Sequence, residues 1–217
     1  MWRESLKGYL KTKFKYFNLF IVSFIPFLFI LFSCSSMQSL YNRLSGEQYI
    51  SDDYRAVLKK WTRKGSLYKG LKTELLLSSV YKGDEFRKAY TNEYCRVYSL
   101  PPHQAKNMLR NEMQAANDYD DFLVVIDAGE KQWDDFSERN SLWNVFLLRY
   151  GHLREKPFEI RKLKENKIFY ESFFPFISPW SSVYSFRFKR PDSPGNAELL
   201  ELVLTGLPGT IRLAWSQ

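Results

Sequence analysis

Residues Val183–Lys189 read VYSFRFK, an apolar–polar alternation that puts Tyr184, Phe186 and Phe188 on one side and Ser185, Arg187 and Lys189 on the other. A period of two places successive side chains on opposite faces of an extended chain, so this stretch is a half-buried strand. Downstream, Leu199–Thr205 and Ile211–Trp215 flank Gly206-Leu-Pro-Gly209, a hairpin signal, and the intervening Pro191–Asn196 stretch (PDSPGN) is a loop. Upstream, Phe122–Asp127 (FLVVID), Leu142–Tyr150 (LWNVFLLRY), Phe158–Leu163 and Lys167–Phe174 read as four further strands, with Gly151 turning the chain. About seven short strands with turns between them and no helical period predict an antiparallel β-sandwich over residues 119–217.

Before Asp118 the period is 3.6. Tyr54, Val57, Leu58 and Trp61 recur at i, i+3, i+4 and i+7 behind a cap at Asp52 or Asp53, which predicts a helix over Asp52–Lys64 ending before Gly65. A second helix opens at Gly83-Asp84, aligns Phe86, Tyr90, Tyr94, Val97 and Tyr98, and stops at Pro101-Pro102. A third, from about His103 to Asn117, places Ala105, Met108, Leu109, Met113 and Ala116 on one face. Leu71–Val80 is apolar without a clear period and fits helix or strand. The fold class is α+β: an N-terminal hydrophobic helix, a helical region over 52–118 with about three helices, and the sandwich. In architecture the sandwich resembles an immunoglobulin-like fold, without the cysteine pair of antibody domains.

The 217 residues carry a formal charge of +8, two cysteines and two histidines, which exclude a disulfide scaffold and a histidine-rich metal site. Half of that charge is local. Residues 1–33 hold five of the 32 basic side chains (Arg3, Lys7, Lys11, Lys13, Lys15) against Glu4 alone, leaving 27 basic and 23 acidic residues beyond. After the basic stretch, Tyr16–Ser33 (YFNLFIVSFIPFLFILFS) is uncharged, broken in apolarity only by Asn18, Ser23 and Pro26. A basic n-region before an apolar h-region is an export pattern, and the charge asymmetry keeps the N-terminus cytoplasmic. At about 1.5 Å per residue the run would just span a bilayer core as a helix, so a retained single-pass anchor is the alternative to cleavage.

The run ends in Leu31-Phe32-Ser33-Cys34, followed by the small polar stretch Ser35-Ser36-Met37-Gln38-Ser39. This resembles the lipobox of bacterial lipoprotein precursors, although Phe32 departs from the small residue usual at that place. The resemblance implies a signal peptide over 1–33 cleaved between Ser33 and Cys34. Cys34 would be lipidated on its thiol and become the first residue of a tether over 34–51. Ser35 in place of the Asp that signals inner-membrane retention implies an outer-membrane location facing the periplasm. One acyl chain binds a membrane marginally and two or three hold it firmly, which suits such an anchor.

Beyond Cys34 the chemistry is sparse. The sequence has no GxSxG elbow, Walker A loop, GxGxxG or HExxH, so no catalytic residue, cofactor or metal is assigned. Cys95 reads as a small core hydrophobe, since neither His103 nor His152, which are 49 residues apart, is placed to activate it. Asn117–Asp121 (NDYDD) has alternating oxygen donors but lacks the central glycine and terminal Glu of an EF-hand, so a capping and turn role is the better reading, as for Asp134-Asp135.

Phe173–Trp180 (FFPFISPW) packs four aromatics and two prolines into eight residues. Phe173, Phe174, Phe176 and Trp180 form either a ligand or partner surface or a crossover whose rings close one end of the core. The second reading is favoured because large exposed apolar patches are uncommon. Basic clusters at Lys59–Lys64, Arg161–Lys167 and Arg187–Arg190 read as solvated faces, and export excludes nucleic acid. The expectation is a non-enzymatic envelope lipoprotein, held in the membrane by Cys34, that contacts envelope proteins or cell-wall polymers. A module binding carbohydrate or lipid through residues 173–180 is the alternative.

Overall fold

The computed structural model describes residues 50–163, 167–191 and 199–216. The apolar run 16–33, the cleavage position at Ser33 and Cys34 lie outside them, as does the 192–196 part of the expected loop. The elements are α1 (Asp52–Trp61), β1 (Thr62–Lys69), β2 (Lys72–Tyr81), α2 (Asp84–Val97), α3 (Pro102–Asp118), β3 (Tyr119–Ala128) and a 3₁₀ turn at Lys131–Trp133. They continue with β4 (Trp143–Arg149), β5 (Leu153–Glu155), β6 (Glu159–Lys162), α4 (Lys167–Phe173), β7 (Ser182–Lys189), β8 (Leu199–Gly206) and β9 (Gly209–Ser216). Among the described residues no helix is long and apolar enough to cross a membrane.

The strands form two antiparallel sheets, one in the order β1-β2-β3-β7-β6 and the other β5-β4-β8-β9. The alternation of VYSFRFK explains how the first sheet is used. Tyr184, Phe186 and Phe188 point to the second sheet together with Tyr81 and Phe122, and all five are buried. Phe122 meets Trp215 of β9 at 5.2 Å between ring centres and Phe188 at 5.8 Å. At the other end Phe136 stacks on Trp143 at 5.0 Å and meets Tyr184 at 5.6 Å. The opposite face of the first sheet is covered by helices, which is why Leu123, Val125 and Val183 are buried as well. Strands covered on both faces lose their alternation, and this is the reason FLVVID reads as a continuous apolar run.

Local chemistry sets the helix ends. Ser51 caps α1 by accepting the Tyr54 amide at 3.2 Å, and Asp52 and Asp53 in its first turn oppose Lys59 and Lys60 in its last, complementing the helix dipole. Pro102 opens α3 at a position where its missing N–H is no loss.

The structure corrects three expectations. The first helix ends at Trp61, not Lys64, because Thr62–Lys69 leaves it to pair with β2. Its period was hidden by Gly65, which has no side chain to contribute. Lys167–Phe174 is helix α4 over Lys167–Phe173 and not a strand. Its rings sit at i and i+4: Phe169 meets Phe173 at 5.3 Å and Tyr170 meets Phe174 at 6.3 Å, so they line one helical side. The strand count among the described residues is therefore nine, not seven, since β1, β2 and β5 join and α4 leaves. Leu71–Val80 resolves to strand β2, and the hairpin β1–β2 inside the segment expected to be helical is part of the same sheet as β3 and β7.

The two sheets approach most closely where β1 meets β9. The Arg63 Nε donates to the Ala214 carbonyl at 2.8 Å, and the Trp215 indole donates to the Trp61 carbonyl at 2.8 Å. A Cβ on Gly65 would lie 2.5 Å from the Ile211 Cγ2, a contact that a stiff β-branched side chain cannot relieve. Gly65→Ala is therefore expected to cost about 1–3 kcal/mol by overpacking, read as a lowered urea midpoint at unchanged slope.

Candidate functional site

Asp120 and Asp121 are neighbours on β3, so their side chains leave opposite faces of the sheet, and both are buried. Asp120 points toward the second sheet, where Arg149 of β4 donates to it at 2.5 Å and the Tyr81 hydroxyl donates to it at 2.6 Å. The Arg149 side chain is fully buried and also donates to Glu155 at 3.0 Å and to the Lys189 carbonyl at 3.0 Å. Asp121 points toward the helices. Lys82 approaches it at 2.9 Å, Arg87 of α2 and Arg187 of β7 lie at 3.9 Å, and the Ser185 hydroxyl donates to it at 2.9 Å. Burial opposes ionisation of Asp121, but these three cations outweigh it and hold the carboxyl below the ordinary aspartate range. The capping and turn role expected for Asp120 and Asp121 is thus corrected: they are strand residues in buried ion pairs. Asp135 does serve a turn, accepting the Leu142 amide at 2.7 Å, whereas Asp134 bridges Lys162, Ser182 and Tyr184.

Beside Asp121 a cavity of about 190 Å³ opens between the first sheet and the helices. Its lining mixes polar Lys82, Glu112, Asp121, Arg161, Ser185 and Arg187 with apolar Tyr90, Met108, Leu123, Leu163, Tyr170 and Phe174. Arg87 donates to the Lys82 carbonyl and to Glu112 of α3, and Arg187 pairs with Glu159 at 2.7 Å. The Arg87 Nη2 and the Arg187 Nε are buried without a hydrogen-bond partner among the described residues. Burial, reinforced by Tyr170 and Glu112, pushes the Tyr90 hydroxyl well above the ordinary tyrosine range. An engineered apolar cavity of about 150 Å³ admits benzene, so this one has room for a single-ring ligand.

The sequence-predicted residues separate. Phe173 and Phe174 are buried in a ring cluster with Tyr90, where Tyr90 meets Phe173 at 5.4 Å and Phe174 at 6.1 Å. Phe174 lines the cavity; half-buried Phe176 lines a separate cleft with Leu76 and Asp127. Trp180 alone is displayed, 90 % exposed. Its turn is held in place: Ser181 donates to Asp127 at 2.6 Å, and the Ser178 amide donates to the Ser181 hydroxyl at 2.9 Å. His103 is exposed in the first turn of α3, and His152 is exposed in the turn after β4, with its Nδ1 2.9 Å from the Tyr150 carbonyl oxygen. Cys95 is half-buried on α2. No group of three His, Cys, Asp or Glu side chains able to hold a metal occurs among the described residues.

Strand register brings Trp180 into company that the sequence does not reveal. β1 ends and β2 begins at the turn 70–71, β8 and β9 meet at 207–208, and β7 starts directly after Trp180 opposite the end of β3. All three turns lie at one end of the sandwich. These turns and the adjoining end of β1 carry the four most exposed large hydrophobic side chains of the described residues: Leu71, fully exposed, then Trp180, Leu207 at 80 % and, on β1, Tyr68 at 61 %. No protein-family model matches this chain, and no curated protein matches it in sequence.

Asp121→Asn is expected to destabilise the fold by about 3 kcal/mol at pH 7, since Lys82 loses its counter-ion and Arg87 and Arg187 keep only Glu112 and Glu159. The wild-type advantage should be complete above the unfolded aspartate pKa of about 3.9 and shrink as pH falls from there through the lower folded value. Urea titrations of both proteins at pH 7 and pH 3 test both parts.

Proposed function

We propose that this chain is a membrane-anchored bacterial envelope lipoprotein, tethered through Cys34, whose folded domain acts by contact and not by catalysis. The observation that carries the reading is the gathering of Leu71, Trp180, Leu207 and Tyr68 at one end of the sandwich. These are side chains a domain without a partner would bury, and exposed apolar groups of this size mark interaction sites. The basic and apolar N-terminal segment and Leu31-Phe32-Ser33-Cys34 support the anchor, and Ser35 supports an outer-membrane location facing the periplasm. The 15 residues 35–49 reach at most about 50 Å, against about 27 Å for an eight-residue strand such as β1, so either end of the domain can meet a membrane. Envelope proteins and cell-wall polymers are partners within that reach. We read the sandwich as immunoglobulin-like in architecture only, with β2 and β3 paired in one sheet although two helices separate them in the chain.

The cavity beside Asp121 favours a second reading, a ligand-binding module for a carbohydrate or lipid headgroup of single-ring size. Phe174 and Tyr170 would take the apolar side and Arg161 an anionic group. Arg161 is exposed and has no ion-pair partner among the described residues, so Arg161→Gln should leave the fold intact. It should weaken binding of a sugar acid such as glucuronate about tenfold, measured by NMR titration.

Labelling of bacteria expressing the chain with a clickable fatty acid tests the anchor. Wild type should incorporate the label and lose residues 1–33 by mass, and Cys34→Ala should do neither. Label that persists in the variant, or never appears, replaces the lipid anchor by a retained single-pass span over residues 16–33 or by a plainly cleaved signal.

A further inference from the structure

We infer that the end of the sandwich bearing Leu71, Trp180 and Leu207 docks on a lipid bilayer, seating these side chains in the headgroup–acyl boundary. This rests on the membrane-tethered reading and names the surface the domain contacts. Three turns from distant parts of the chain converge there. The β1–β2 and β8–β9 turns adjoin, because Leu67 comes within 3.0 Å of where a Gly209 Cβ would stand. The third turn, 178–181, is fixed through Ser181 to Asp127, which lies opposite Leu76 of β2. Trp180 is therefore held outward by hydrogen bonds beneath it.

The composition of the turns suits lipid. Residues 68–72 (YKGLK), 178–181 (SPWS) and 205–210 (TGLPGT) contain two lysines and no carboxylate. Tyr and Trp favour the membrane interface, where an apolar ring and a polar edge are both satisfied, and Leu favours the acyl side of it. Lys69 and Lys72 flank Leu71 at the depth of anionic headgroups, although Lys72 also pairs with Glu130. Separate projecting tips penetrate a deformable bilayer more readily than they fill the flat, close-packed core of a protein interface. A fourth loop at this end, 129–142, marks the edge of the footprint. Within it Asp134 is tied to Lys162, Ser182 and Tyr184 and Glu130 to Lys72, whereas Glu138 and Arg139 are exposed and belong in water.

The test uses the full chain reconstituted into phosphatidylcholine–phosphatidylglycerol vesicles, with and without brominated phosphatidylcholine, and compares wild type, Trp180→Tyr and the double variant Leu71→Ser/Leu207→Ser. All three substituted positions are exposed, so the fold is retained, and flotation of each protein with the vesicles through residues 16–33 puts them on the same footing. Brominated lipid should quench tryptophan emission more in wild type than in Trp180→Tyr, and that excess should fall at least twofold in the double variant. Equal fractional quenching in wild type and Trp180→Tyr, or full access of iodide to Trp180 in vesicles, overturns docking and leaves this end to a protein partner. Insertion through residues 16–33 does not need Cys34 to be lipidated. Failure of fatty-acid labelling with Trp180 quenched thus refutes the lipid anchor alone, and labelling without quenching refutes docking alone.

Discussion

Two consecutive carboxylates on β3 hold the layers of this domain together. Asp120 reaches through Arg149 into the second sheet, and Asp121 reaches through Lys82, Arg87 and Arg187 to the helices and the neighbouring strand. Buried ion pairs contribute little net stability, because the cost of removing two charges from water offsets most of their attraction. Their strength lies in what they forbid. Sliding β3 by one residue would exchange the faces of Asp120 and Asp121 and strand both carboxylates against the wrong layer, together with every apolar side chain on the strand. The pair therefore fixes the register of the central strand, and through it the positions of β2 and β7.

That register has consequences at both surfaces of the first sheet. Toward the helices it sets Asp121 and Ser185 at the base of the cavity, with the rings of α2 and α4 forming its roof. Toward the far end it determines which turns are neighbours, since β2 pairs with β3 from Leu75–Ala128 to Tyr81–Phe122. The Asp127 that anchors the Trp180 turn sits on the same strand, seven residues from Asp120. Packing and display are thus two ends of one strand's placement.

Much of the fold was legible in local periods. The α2 and α3 helices, the strands β3, β4 and β6–β9 and the change of period at residue 118 are all written in the spacing of apolar residues. The errors have local causes too. In Lys167–Phe174 nearly every residue is aromatic, aliphatic or long-stemmed, so a period of two and one of four both find matches, and packing against Tyr90 and Tyr94 decides for the helix. In Thr62–Lys69 a glycine and several polar residues erase the pattern, and partners in β2 supply the strand. The roles of Asp120 and Asp121 were not legible, because their partners Lys82, Arg87, Arg149 and Arg187 are scattered over more than a hundred residues.

The aromatic stretch Phe173–Trp180 shows where the boundary lies. Composition alone establishes that its rings must be buried or used, because water disfavours them wherever they stand. It cannot assign each ring a fate, since burial depends on what the distant α2 and β2 bring alongside. In the same way, the charge step and apolar run ahead of Cys34 are contiguous signals that need no folding to be read. The cavity beside Asp121 and the cluster of Leu71, Trp180 and Leu207 exist only once strand pairing has joined residues far apart in the chain.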